Sequence, residues 1–310
     1  MKRKPSAMAL VAFAVCMVSY SGPMVKGALN AGASPLSVAF VRMLAAGLLL
    51  FPYEIRQCVK QRLPIRLSRR EAVLTALAAA FLAGHYLTWI TSLKGTSTFA
   101  SVALVCTQPL FVALLGYLLF GDVTPRRAVP GALLALLGAA IIALGGAAAQ
   151  DGEGGALGAN LLALAGAVLM AAHWLTGREI RRSLAAEVYT PALYLATAAL
   201  LALLLPLGGG LIMPLEALPY MAGLVVGSTL LGHAVFAYAL SRVSAQVVSF
   251  ALLGEPVGAM VFSMIFFGEV PTWPVALGGV TTLLGLGLYL AFAAREETQE
   301  EAQTCKAMKR

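Results

Sequence analysis

Charge is what this chain has least of: Asp, Glu, Lys and Arg make up 12% of its 310 residues, against 60% hydrophobic residues and a mean hydropathy of +0.85. Soluble domains carry about a quarter charged residues, so a soluble fold is excluded. There is no GxxxxGK[ST] loop, which excludes ATP bound by this chain as the power source. There is no HExxH and no Cys–His cluster, so no metal or cofactor is implied. Cysteine is sparse: Cys16 and Cys106 lie in apolar runs, while Cys58 and Cys305 fall in segments assigned below to the cytoplasm, and no disulfide framework follows. Basic residues give a net charge of +8, but no patch interleaves them with aromatics, and nucleic acid is not an expected partner. A membrane-embedded enzyme would need converging nucleophiles or carboxylates, and the chain has one deep acid.

Apolar runs fill most of the chain. A bilayer core needs about 20 apolar residues per helix, and the runs between polar breaks predict helices near 7–26, 35–53, 72–93, 98–119, 127–147, 157–176, 188–206, 217–240, 244–267 and 273–293. The first run, behind Lys2, Arg3 and Lys4, resembles a secretory signal with Ala31-Gly32-Ala33 as a cleavage site. It is too long for a signal core of roughly 7–15 residues and reads better as a retained helix. With a cytoplasmic N-terminus, nineteen of the 22 basic residues fall on the inside, and the outer loops keep Lys26 and Lys94. That asymmetry follows the positive-inside rule and puts both termini in the cytoplasm.

Self-similarity is the most informative pattern. Pro109 and Pro256 stand 147 positions apart (256 − 109), and the same offset pairs Phe120-Gly121-Asp122-Val123 with Phe267-Gly268-Glu269-Val270, Gly131 with Gly278, and Leu137-Gly138 with Leu284-Gly285. Each half holds five helices, an odd number, so the halves are expected to be inverted in the membrane. Inverted repeats let two halves exchange conformations and open alternately to either side, the construction of secondary transporters. A duplicated scaffold or channel is the other use of such symmetry.

The ordered motifs resemble the EamA family of the drug/metabolite transporter superfamily, ten-span metabolite exporters. They are Lys26 closing helix 1, Ser34-Pro35-Leu36 then Val41-Arg42 in helix 2, the proline-containing helix 4 ending at Phe120-Gly121-Asp122, Gly268-Glu269 after helix 9, and glycine-rich helices 5 and 10. Asp122 departs from the glutamate more usual there. The resemblance implies an all-α membrane fold of ten helices in two inverted five-helix repeats, 1–150 and 151–294, with a cytoplasmic tail at 295–310. It further implies a central cavity lined mainly by helices 1, 3, 4, 6, 8 and 9, and export of amino acids or related amphiphilic metabolites.

Several residues are candidates for lining that cavity. Glu255 lies roughly 16 Å along its helix from Ser244, near the bilayer midplane. A carboxylate there is costly unless protonated, paired or facing a wet cavity, so it is a candidate for a substrate amine or a proton. Its repeat partner is Gln108, and the prolines beside them, Pro109 and Pro256, free backbone carbonyls that protein or cavity water must satisfy; they are read as kinks. Arg42, roughly 10 Å below the outer surface, could hold a substrate carboxylate, pair with Glu255 or snorkel. His85, Tyr86 and Trp89 share a stripe of helix 3, facing either the cavity or the interface. His233 follows Gly232 as His85 follows Gly84. His173-Trp174 and Lys26 read as interfacial. The small residues of helices 5 and 10 permit close approach within the chain or in a homodimer. Together these imply a multi-pass plasma (inner) membrane transporter exporting an amino acid or similar zwitterion, with the lipid bilayer, a small-molecule metabolite and protons as its partners. An organic-cation exporter and a non-transporting scaffold or receptor are the alternatives.

Overall fold

A computed structural model describes residues 7–63, 66–123, 125–148, 155–232 and 254–307, and among them every regular element is helical. The helices are α1 (Ala7–Ser19), α2 (Ser21–Asn30), α3 (Pro35–Gln61), α4 (Arg69–Ser92), α5 (Thr98–Val105), α6 (Gln108–Phe120) and α7 (Val129–Ala148) in the first repeat. The second repeat has α8 (Gly155–Ile180), α9 (Ala186–Leu204), α10 (Leu218–Ala222) continuing as a π-helical stretch over Gly223–Gly232, α11 (Glu255–Phe267) and α12 (Trp273–Ala307). Eight stretches are long and apolar enough to cross a bilayer, and Val129–Leu144 and Glu255–Phe267 are shorter apolar helices. These segments overlap the expected ones, with residues 233–253 outside the described part, and the chain is a multi-pass membrane protein.

Local sequence sets the helix starts. Ser34 accepts from the Ser37 amide at 3.1 Å with Pro35 as the first helical residue, Ser68 and Glu71 form a capping box, and Ser97 accepts from the Ala100 amide at 3.1 Å. Helix ends differ from expectation in three places. The first span breaks at Tyr20 and reaches Asn30, and the second runs on to Gln61 with Pro52 inside it. The last span continues through the tail to Ala307: after Gly287 the sequence has neither glycine nor proline, and its Glu, Gln and Ala residues favour helix.

The repeat is visible in backbone detail. α6 and α11 each have 13 residues, each carries proline at its second position, and each follows a residue with ψ near zero, Thr107 (−4°) and Gly254 (−15°). Each ends on a left-handed glycine, Gly121 (φ 73°) and Gly268 (φ 64°), a conformation that glycine adopts without steric cost. The closing bonds match as well: Asp122 N donates to Gly116 O and Glu269 N to Ser263 O, again 147 apart (263 − 116).

The two halves pack as a pseudo-symmetric pair. α3 lies on α9 and α7 on α12, each the counterpart of the other, while α4 against α8 is mirrored by α1 against the π-helical stretch. α6 against α8 is likewise mirrored by α1 against α11. One end of the bundle carries Lys26, Lys94 and Glu269, and the other carries Arg66, Asp122 and Arg178. α6 finishes at the Arg178 end and α11 at the Lys26 end, so equivalent helices run in opposite directions.

The α7–α12 contact is built on glycine. A methyl placed on Gly278 would meet Gly138 O and Ile142 N at 2.8 Å, and one on Gly285 would strike the Ala135 backbone. Main chains therefore touch directly, and the small residues of spans 5 and 10 serve packing within the chain.

Candidate functional site

Arg42 is the buried cation of the described bundle, 3% exposed on α3. Its Nε donates to Thr229 Oγ1 at 3.1 Å and its Nη1 to Ser21 Oγ at 3.2 Å, which brings together the first, second and eighth spans. The guanidinium lies 4.8 Å from the Tyr86 ring centroid and 6.0 Å from that of Trp89. Among the described residues it forms no ion pair; those present join Arg178 to Asp122 and Glu179, and Arg182 to Glu179. Hydroxyl oxygens and ring faces can orient a guanidinium and attract it, but they do not neutralise it. Snorkelling is thus set aside, since Arg42 turns into the bundle.

The α4 stripe meets this cation from one side. Tyr86 and Trp89 present their rings to Arg42, and His85 stacks on Trp89 with centroids 5.8 Å apart and ring planes 14° apart. His85 is fixed by Nδ1, 2.9 Å from Gly166 O on α8. Trp89 is 6% exposed, so it belongs to the interior and not to an interfacial belt. Among the described residues its indole Nε1–H has no hydrogen-bond acceptor, and neither the Ser19 nor the Ser228 hydroxyl has a partner. Around Arg42 the described structure therefore offers donors and hydroxyls, with no carboxylate at ion-pair distance.

Glu255 and Gln108 open α11 and α6, both half-buried, at the breaks that lead into those helices. Pro109 and Pro256 sit in first turns, where a missing N–H leaves no intrahelical bond unmade. Pro109 follows the short break at Cys106–Thr107 inside the span Thr98–Phe120, and the residues before Gly254 lie outside the described ones. Glu255 forms no ion pair with Arg42, yet its charge acts on both Arg42 and Cys106, the latter at the α5–α6 break. The two breaks thus lie near each other across the repeat interface.

Other candidates fall elsewhere. His173 Nδ1 is 3.0 Å from Ala78 O, tying α8 to α4, while Trp174 faces out of the bundle. Lys26 is half-buried and donates to Leu93 O at 2.6 Å, a tie more specific than an interfacial anchor. His233 lies outside the described residues. Among the described residues no three His, Cys, Asp or Glu side chains converge as a metal site would require. Ser21 and Thr229 were not expected from the sequence; the only signal was a small hydroxyl residue inside an apolar span.

A helical bundle of two antiparallel repeats, with Arg42 as the buried cation of the described residues where they meet, is an arrangement that membrane carriers use. The EamA-like transporter family model matches residues 5–144 and 157–291, one match per repeat, and the chain belongs to that family, within the drug/metabolite transporter superfamily. No curated protein matches it. Twenty-two chains of solved structures do; one, described as "Crystal structure of protein", is 18% identical with a TM-score of 0.61, over 95% of this chain and 100% of its own. At that identity the likeness speaks to the fold.

Proposed function

We propose that this transporter is a secondary carrier in the plasma membrane, exporting an amino acid or related zwitterion by alternating access, with its termini in the cytoplasm. The carrying observation is Arg42, a buried guanidinium with hydroxyl and aromatic neighbours and no ion pair among the described residues. A cation at membrane depth normally finds an anion, and a substrate carboxylate supplies one. The unpaired Trp89 Nε1–H is a second donor beside it. Glu255, at the α11 break and free of an ion pair among the described residues, is suited to the substrate amine or to a counter-transported proton.

Reconstituted flux with a labelled metabolite panel tests this. Arg42→Lys replaces a planar fork by a point charge, and a charge-assisted bond contributes about 1.5–3 kcal/mol. Transport of carboxylate substrates should therefore weaken about 10- to 100-fold, while substrates without a carboxylate are little affected. Equal loss for both classes, in a protein with unchanged melting, removes Arg42 from substrate binding. Glu255 favours one second reading, export of organic cations in competition with protons. In that case cations move and zwitterions do not, and Glu255→Gln abolishes the flux.

A further inference from the structure

At the Lys26 end a carboxylate of the second repeat enters a helix of the first. Glu269, in the turn after α11, accepts from the Thr98 amide through Oε1 at 2.9 Å. Thr98 is the first residue of α5, whose N-terminal amides carry partial positive charge. The other oxygen, Oε2, is buried and has no hydrogen-bond partner among the described residues. Lys26 stands near enough for its charge to attract Glu269, while its own Nζ donates to Leu93 O at 2.6 Å and Thr96 O at 3.4 Å in the turn between α4 and α5. Three segments thus close on one another there: α2, the α4–α5 turn and the α11–α12 turn.

The repeat carries the same position to the opposite end, with another result. Asp122, 147 residues before Glu269, pairs with Arg178 Nη1 at 2.7 Å, again joining one repeat to the other. Arg178 and Asp122 are 38% and 46% exposed, and Arg178 also covers the Phe120 ring at 4.6 Å. Exposed pairs are screened and contribute little, whereas a charge-assisted bond to a half-buried helix terminus is about twice as strong as a neutral one. The Lys26 end is accordingly held more firmly than the Arg178 end.

We infer that Glu269, seated on the α5 N-terminus beside Lys26, is a latch that holds the Lys26 end of the carrier shut, and that Asp122–Arg178 is its weaker counterpart at the other end. The inference rests on the alternating-access reading, and it assigns the barrier of the exit pathway to a bond between repeats. Opening that end requires Glu269 to leave the Thr98 amide. The strength of this bond then biases the empty carrier toward the state closed there.

Native Cys106, at the α5–α6 break, is a reporter that needs no substrate. In protein lacking the other three cysteines, its reaction with a membrane-impermeant thiol reagent applied from each side of sealed vesicles reads which end is open. Glu269→Gln should speed labelling from the Lys26 side roughly tenfold, the factor that about 1.4 kcal/mol makes in an equilibrium, and leave the Arg178 side unchanged or slower. Thr98→Pro is the independent variant: it deletes the donated N–H together with the buried Thr98 hydroxyl, which has no hydrogen-bond partner among the described residues, at a first helical position that accepts proline, after Ser97, which is already extended at ψ 151°. It should give the same one-sided gain even if Glu269→Gln fails to fold. A gain from both sides would mean general loosening, and unchanged labelling in both variants would mean a helix cap with no gating role; either overturns the latch. Because the readout is labelling, these outcomes stand apart from a failure of the flux panel, which concerns the substrate reading alone.

Discussion

At the scale of single residues, the indole of Trp89 separates binding from stability. Its Nε1–H is buried without an acceptor among the described residues, while its ring is held by stacking on His85 and faces the Arg42 guanidinium. A buried donor without a partner costs about 1–3 kcal/mol relative to a satisfied one, and removing it in an isosteric way is neutral or stabilising. A fold-only role predicts that Trp89→Phe leaves the melting temperature level or higher and transport intact. If the donor completes a carboxylate site with Arg42, the same change lowers apparent affinity for carboxylate substrates by about tenfold, the loss of one good hydrogen bond. Binding titration and thermal melting of the purified protein, run on one preparation, distinguish the two. The sequence placed Tyr86 and Trp89 on one stripe and Arg42 within the bilayer, but did not bring the cation to those rings. Ser21 and Thr229 could not be read as anchors, because an apolar helix does not reveal which hydroxyl faces which span.

At the scale of elements, glycine decides how closely α7 and α12 approach. A Cβ on Gly285 would collide with main-chain atoms of Ala135, which cannot swing aside as a side chain can, whereas a Cβ on Gly158 of α8 meets nothing within 4 Å. Gly285→Ala should therefore destabilise by about 1–3 kcal/mol, the usual cost of forced overpacking. Gly158→Ala should be neutral or gain up to about 1 kcal/mol in helix propensity. Opposite shifts in melting temperature express the contrast; equal shifts would show that α7 and α12 tolerate a wider separation. These elements were the most legible part of the sequence, since the 147-residue offset paired Gln108-Pro109 with Glu255-Pro256, read as kinks though helices start there, and Gly121 with Gly268, which end them. The π-helical stretch was not legible, because Gly223–Gly232 is apolar and glycine-rich in a way that fits α and π windings equally. The winding shows only in the fold, where the Thr229 hydroxyl, which accepts from Arg42, donates to Leu224 O at 3.1 Å. The break at Tyr20 was hidden for the same reason.

At the scale of the whole molecule, direction is the property that makes two repeats a carrier. α6 and α11 run opposite ways, and the helix pairs repeat under exchange of the halves, so a movement in one half has a mirror image in the other. The membrane enters through charge: the Arg178 end carries Arg56, Lys60, Arg62, Arg66, Arg69, Arg70, Arg178, Arg181 and Arg182, while the Lys26 end carries Lys26 and Lys94. Basic residues remain on the cytoplasmic side, so the Arg178 end should face the cytoplasm and the Lys26 latch the outside. Arg66 and Lys94 are both exposed, in the turns before and after α4, and a single helix separates them. Cysteines placed there one at a time, in protein without its four native cysteines, should react with an impermeant reagent from opposite faces of oriented vesicles, position 94 from outside and position 66 from the cytoplasmic face. Reaction of both from one face would contradict α4 as a span, and with it the odd number of crossings that inverts the halves. The reverse assignment, position 66 labelled from outside, would keep the repeat but turn the carrier over, making the Glu269 latch a cytoplasmic gate and the proposed export an uptake.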